Sequence, residues 1–200
     1  MGKTVRNMRR AWLVLPMSET SERVGSVKLL FLDIDGVLNS LAWAESGGGF
    51  GCPPGKRERV TKQRLKWDPA AVKRLRRVIT ETGAHIVISS SWRGYGAAAV
   101  WKWRAMFACY GWRRAPVIGE TPDLTAKQSN GIYVAVKRGD EVAKFLTLWG
   151  PGIITKYACV DDDGDFLEGQ ILVQTDVKHG LTDADAERLI SALGKSSNAK

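Results

Sequence analysis

Two aspartates, Asp33 and Asp35, stand one residue apart in VKLLFLDIDGVLNS (27–40), straight after an apolar run and just before Gly36. Carboxylates this close repel one another, so a fold gains nothing by setting them together at the tip of a buried strand. The pair makes physical sense with positive charge between them. Two other polar groups occupy equivalent places. Ser89, Ser90, Ser91, Trp92 and Arg93 follow the run AHIVI, and Asp161, Asp162 and Asp163 follow YACV. Arg138, beside Lys137, opens a helical pattern between these two groups. Carboxylates, hydroxyls and a guanidinium gathered at one edge suit a divalent cation and a phosphate. Magnesium prefers oxygen ligands, accepts few carboxylates, and completes its shell with waters and phosphate oxygens. Taken singly, the aspartate pair reads as a turn, the serines as a loop and the aspartate triplet as a solvated bend. Their common placement after successive apolar runs is what argues for a site.

That placement depends on the elements between them. Leu29–Leu32 is a continuous apolar run, as in a strand covered on both faces. Asp68 and Pro69 start a helix, Val72, Leu75, Val78 and Ile79 recur at helical spacing, and Gly83 ends it. AHIVISSS (84–91) then reads as a second buried strand, and a helix follows with Val100, Trp103, Phe107 and Tyr110 on one face. APVI (115–118) reads as a short third strand. A helix begins near Gly139 and Asp140 and buries Val142, Phe145, Leu146 and Trp149. YACV and ILVQT are further strands, and Thr182 with Asp185 forms a capping-box start for a last helix reaching Leu193. Alternating strands and helices predict a three-layer, Rossmann-like α/β fold with a mostly parallel sheet. Ligands of such sheets sit beyond the carboxyl ends of the strands, where the polar groups fall.

Composition narrows the rest. Two hundred residues, 44% of them hydrophobic, suit one domain with a sizeable core. The net charge of +9 favours phosphates, nucleotides or nucleic acid as partners, and equally fits a solvated basic surface. Three scattered cysteines without CxxC spacing argue against a disulfide framework or zinc site and fit a reducing, cytoplasmic setting. No apolar run is long enough to span a membrane. MRRAWLVLPM near the start has an export-signal look, but its apolar run is too short and is broken by Pro16. Residues 1–26 are expected to be a flexible basic extension, residues 27–194 the catalytic domain, and residues 195–200 a flexible tail. Within the domain, about residues 41–67 form a Gly-rich, basic flap.

The order of these motifs resembles the haloacid dehalogenase (HAD) superfamily of aspartate-nucleophile phosphatases. LLFLDIDGVLN is similar to its first motif, HIVISSS to its second, Arg138 in KRGDEV to its third and ACVDDD to its fourth. SSSWR, IGETP, RGDEV, VDDDGD and LVQTD…GLTDADAERLI resemble, more narrowly, the small HAD domains of bacterial and phage RNA-repair proteins. The resemblance implies a phosphatase fold without a large cap domain. Chemistry and resemblance agree on roles. Asp33 would be the nucleophile and Asp35 the acid/base. Ser90 would hold a phosphoryl oxygen, flanked by Ser89, Ser91 and Arg93 as substrate contacts. Arg138 would neutralise the phosphoryl charge, with Lys137 as its fallback. Magnesium would take a carboxylate oxygen of Asp33, the backbone carbonyl of Asp35 and a carboxylate of Asp162, with Asp161 behind them and Asp165 as a weaker substitute. His85 and Cys159 read as structural.

The substrate is less defined. The segment between Asp35 and the Asp68 helix start allows a flap but not a folded cap, so an open site could admit a polynucleotide end or a nucleotide. Trp92, Trp101 and Trp112 stand near Arg93, Lys102, Arg104, Arg113 and Arg114. Aromatics among basic residues can stack on bases while the charges hold phosphates. The same pattern also describes a packed surface helix with solvated charges. The alternatives to a nucleic-acid or nucleotide phosphatase are a phosphatase of an unrelated small metabolite and a catalytically weak nucleic-acid-binding accessory protein.

Overall fold

The computed structural model describes residues 27–127, 133–134, 136–149 and 152–196. The expected extension over residues 1–26 and the last four residues of the expected tail lie outside them. Five strands form one sheet: β1 (Val27–Leu32), β2 (His85–Ile88), β3 (Val117–Glu120), β4 (Ile154–Asp161) and β5 (Leu172–Gln174). Their order is β3-β2-β1-β4-β5, and every pairing is parallel. Four main helices connect them: α1 (Pro69–Thr82), α2 (Ala99–Ala108), α3 (Arg138–Trp149) and α4 (Asp183–Leu193). A two-residue antiparallel pair, Ala126–Lys127 with Tyr133–Val134, lies outside the main sheet.

Residue alternation along β1 builds the layers. Leu30 and Leu32 pack with Leu75 and Val78 of α1, Trp103 and Phe107 of α2, and Leu189 and Leu193 of α4. Leu29 and Phe31 face the other way, toward Val142 and Phe145 of α3. The expected three-layer arrangement is therefore present, with a central strand buried on both faces. The helix signals act where the sequence puts them. The Asp68 side chain caps α1, Pro69 occupies its first turn, and Gly83 ends it in the left-handed conformation. Thr182 and Asp185 form a reciprocal capping box on α4.

β3 lies two residues later than APVI suggests. Pro116 has no N–H to give a ladder; its carbonyl accepts the Ile86 N–H, and the regular pairing runs on from Val117. The chain moves outward from β1 to β3 and then returns to the other side of β1 at β4. The carboxyl ends of β1 and β4 thus flank the point where the strand order reverses, the usual ligand position in an open parallel sheet.

The Gly-rich segment contains only short helical pieces, Leu41–Trp43, Ala44–Gly48 and Lys62–Leu65, and no folded cap. It is tied down from α2 and the loop before it. Tyr95 Oη donates to the Pro54 carbonyl at 2.7 Å, and Lys102 Nζ donates to the carbonyls of Gly55 at 3.0 Å and Glu58 at 2.6 Å. Lys102 is buried, with its charge above the rings of Tyr95 and Trp101. This corrects one part of the stacking surface drawn from sequence. Lys102 serves backbone carbonyls instead of phosphates, and Trp92 and Trp112 belong to the core, so only Trp101 stays exposed. Lys102→Met should free residues 55–58, since bonds from a charged donor contribute about 1.5–3 kcal/mol. Tryptic cleavage after Lys56, Arg57 or Arg59 should accelerate; an unchanged cleavage rate would remove the anchoring role.

Candidate active site

The loop leaving β1 is fixed before any ligand arrives. Asp33 N–H continues the sheet by donating to Val160 O, and the Leu38 and Asn39 N–H groups turn back to Ile34 O. Gly36 carries the turn with φ +68°, and its carbonyl accepts from Thr175 Oγ1 at 2.9 Å. A Cβ at Gly36 would lie 2.3 Å from Asp162 Cγ. Both the backbone angle and the absence of a side chain therefore let Asp162 approach the β1 loop.

Asp33, Asp161 and Asp162 each present a carboxylate oxygen, all within 4.8 Å of one another. Asp33 and Asp161 are almost fully buried. Burial and then the Asp161 charge push the Asp33 carboxyl well above the ordinary range, against the pull of Arg138, Ser90 and the Ile34 backbone. Burial also raises Asp161, to about 7. Asp161 Oδ1 accepts from Asp163 N–H at 3.0 Å, whereas its buried Oδ2 has no hydrogen-bond partner among the described residues. An all-oxygen cluster with excess negative charge and an unsatisfied buried oxygen fits a hard divalent cation such as magnesium.

Among the described residues, Arg138 supplies the positive charge paired with this cluster. Its Nε lies 3.5 Å from Asp161 Oδ2, Nη1 3.6 Å from Glu141 Oε2 and Nη2 3.9 Å from Asp33 Oδ1. Asp165 accepts the Arg138 N–H at 2.9 Å and so caps the start of α3. Lys137 is exposed and in no ion pair among the described residues. Ser90 is fully buried and its Oγ accepts the Trp92 N–H, while its hydroxyl is among the groups that pull the Asp33 carboxyl down. Ser89 is buried as well, whereas Ser91 is exposed. Arg93 pairs with Glu141 and donates to Ser90 O at 3.1 Å. Ser91, Arg93 and Arg138 line a cavity of about 360 Å³ together with Asp123, Thr125, Val136, Glu141 and Asp165.

Asp35 has a different setting from Asp33. It is exposed, with Oδ1 accepting from Asn39 Nδ2 and Oδ2 from Trp92 Nε1, each at 2.8 Å. The sequence alone does not mark Asn39 or Glu141 as site residues, and it offers Trp92 as a base-stacking group instead of a partner of Asp35. Asn39 closes the quoted aspartate motif and Glu141 stands one helical turn after Arg138, which are the available local signals; the Trp92 contact spans 57 positions and leaves none. His85 is half-buried at the opposite end of β2, its imidazole pushed toward neutrality by burial and then Arg104. Cys159 is core.

A family model described as the HAD domain in Swiss Army Knife RNA repair proteins matches residues 29–186. The chain belongs to this family. The match spans the Asp33–Asp35 loop, the serine run, Arg138 and the Asp161–Asp163 triplet, together with the five-stranded HAD fold. HAD membership points to a hydrolase of phosphatase type with a phosphorylated substrate, and HAD proteins generally use magnesium. No curated protein and no solved structure matches the chain. No helix among the described residues is long and apolar enough to cross a membrane.

The raised Asp161 carboxyl has a defined consequence for stability. Between its unfolded value of 3.8 and its folded value of about 7, the native state holds more protons than the unfolded state. Its contribution to stability therefore falls as pH rises through that window. In chelator, Asp161→Asn should gain thermal stability relative to the native sequence from pH 4 to pH 7, and magnesium should shrink the gain. A difference independent of pH would contradict this electrostatic account. Gly36→Ala should displace Asp162 and weaken magnesium binding in a folded protein, as read by calorimetry; unchanged affinity would remove the steric argument.

Proposed function

We propose that the protein is a magnesium-dependent phosphomonoesterase working through an aspartyl-phosphate on Asp33. The observation that carries this reading is the convergence of Asp33, Asp161 and Asp162 at the β1/β4 switch point, with Arg138 and Asp35 beside them. Asp33 attacks phosphorus, and the bond to the leaving oxygen breaks as Asp35 gives that oxygen a proton. Asp35 then takes a proton from water, whose oxygen attacks phosphorus, and the Asp33–phosphorus bond breaks to release inorganic phosphate. Ser90 and Arg138 hold the phosphoryl oxygens. Asp33, Asp162 and the Asp35 carbonyl would hold magnesium, with Asp161 behind them, and the ion supplies positive charge against the phosphoryl oxygens. The difference between the two aspartates supports the division of labour. Asp35 is solvent-accessible and aimed by neutral donors, as proton exchange requires, whereas Asp33 is enclosed.

The proposed substrate is a terminal phosphate on a polynucleotide, with a nucleotide as the smaller variant. Support comes from the family's RNA-repair description, the absence of a folded cap in the described segment 41–67 and the surface beside α2. There the anchored segment leaves Lys56, Arg57 and Arg59 exposed near Trp101, which is 58% exposed. An aromatic face next to exposed cations suits a single strand, with bases stacked and phosphates paired.

Asp33→Asn should stay folded and lose turnover of an aryl phosphate, and chelation should abolish activity until magnesium is restored. Folded Asp33→Asn enzyme working at the native rate would end the mechanism. Arg57→Glu with Arg59→Glu should weaken oligonucleotide binding and flatten its salt dependence by ~0.7 logarithmic units per lost phosphate contact, while sparing aryl phosphate hydrolysis. Equal turnover of sugar phosphates and end-phosphorylated oligonucleotides, unaffected by the reversal, would favour the small-metabolite reading.

A further inference from the structure

We propose that Glu141 is a positioning residue that holds Arg138 off Asp33 and Asp161, keeping the carboxylate cluster open to a divalent cation and the guanidinium open to phosphoryl oxygens. The proposal rests on the phosphoryl-transfer reading above.

The geometry around Arg138, whose side chain is 20% exposed, is unusual for an arginine among carboxylates. Its three nitrogens each face a different carboxylate, at 3.5, 3.6 and 3.9 Å. Close charge-assisted pairs have N···O separations of about 2.7–2.9 Å, and arginine commonly makes two such bonds to one carboxylate. Arg138 makes no such close contact to a carboxylate among the described residues. It is suspended among Asp33, Asp161 and Glu141, with the Glu141 attraction opposing the other two. Released from Glu141, the guanidinium would settle onto Asp161 or Asp33 and neutralise the oxygens that a cation needs.

Glu141 is itself fixed. It is almost fully buried, and Oε1 accepts from Arg93 Nη2 and from Leu124 N–H at 3.2 Å. Arg93 is held in turn by the Ser90 carbonyl, directly behind the phosphoryl-binding serine. One carboxylate therefore sets two arginines on one wall of the cavity beside Asp33. A buried charge is costly unless paired, and an apolar residue here would spare that cost. Placement in the first turn of α3 offsets part of it through the helix dipole.

A residue that only supports the fold would weaken everything equally, whereas one that acts through Arg138 should have no effect on cation binding once Arg138 is gone. The test is calorimetric titration of magnesium into the native protein, Glu141→Gln, Arg138→Ala and the double variant. Glu141→Gln should bind magnesium about tenfold more weakly, while Arg138→Ala and the double variant should bind alike and at least as tightly as the native protein. If Glu141→Gln binds magnesium normally, or weakens binding equally with and without Arg138, the proposal is overturned. Should Glu141→Gln fail to fold, Glu141→Asp, which keeps the charge but shortens the reach to Arg138, must show the same Arg138-dependent loss. Phosphatase assay of the native protein reports separately on the reaction itself: an inactive native protein with an intact Arg138-dependent effect would sink the phosphatase reading and leave the positioning role standing.

Discussion

Like-charge crowding at the tips of β1 and β4 is the constraint around which the domain is arranged. Asp33 and Asp161 are nearly removed from water, Asp162 joins them, and among the described residues only Arg138 pairs with Asp33 and Asp161. Such an arrangement raises the energy of the folded chain, and the rest of the sheet must hold it in place. Parallel pairing aligns Leu32 with Val160, which brings the two acidic loops to the same edge. Gly36 removes the side chain that would keep Asp162 away, and Thr175 at the end of β5 ties the Gly36 carbonyl. Asp165 fixes the first turn of α3, and with it Arg138.

The same loop gives two aspartates one residue apart opposite surroundings. Asp33 shares its space with other carboxylates, whereas Asp35 points to solvent between the Asn39 amide and the Trp92 indole. Both of those partners donate, so they steer the carboxylate without adding charge. Two carboxyls that differ this much can take different parts in one reaction, and the proposed mechanism divides nucleophilic and proton-transfer chemistry between them.

Much of this was legible in the sequence because it was local. The continuous apolar run of β1, the Asp68–Pro69 start and Gly83 end of α1, and the Thr182–Asp185 box are short-range signals, and each acts at its own position. The strand-end placement of Asp33, Ser90 and Asp161 followed from alternation of strands and helices. What escaped depends on partners far along the chain. Lys102 looks like any surface lysine until Gly55 and Glu58 are folded over it, and Trp92 looks like a stacking platform until Asp35 meets its indole nitrogen. Nothing local in the sequence marks Glu141 as the partner of Arg93, because that contact spans 48 residues. The start of β3 was misplaced because its limit is set by pairing with β2 past Pro116, which hydrophobicity alone does not register.

The central claim is that Asp33 receives the phosphoryl group. An acyl phosphate can be reduced by borohydride, which turns the modified aspartate into homoserine. Turnover of an aryl phosphate with magnesium, quenched with borohydride and mapped by peptide mass spectrometry, should give homoserine at position 33 and leave Asp35, Asp161 and Asp162 intact. Homoserine at another aspartate, or phosphate release with no trapped residue under conditions that trap a known acyl phosphate, would contradict the account.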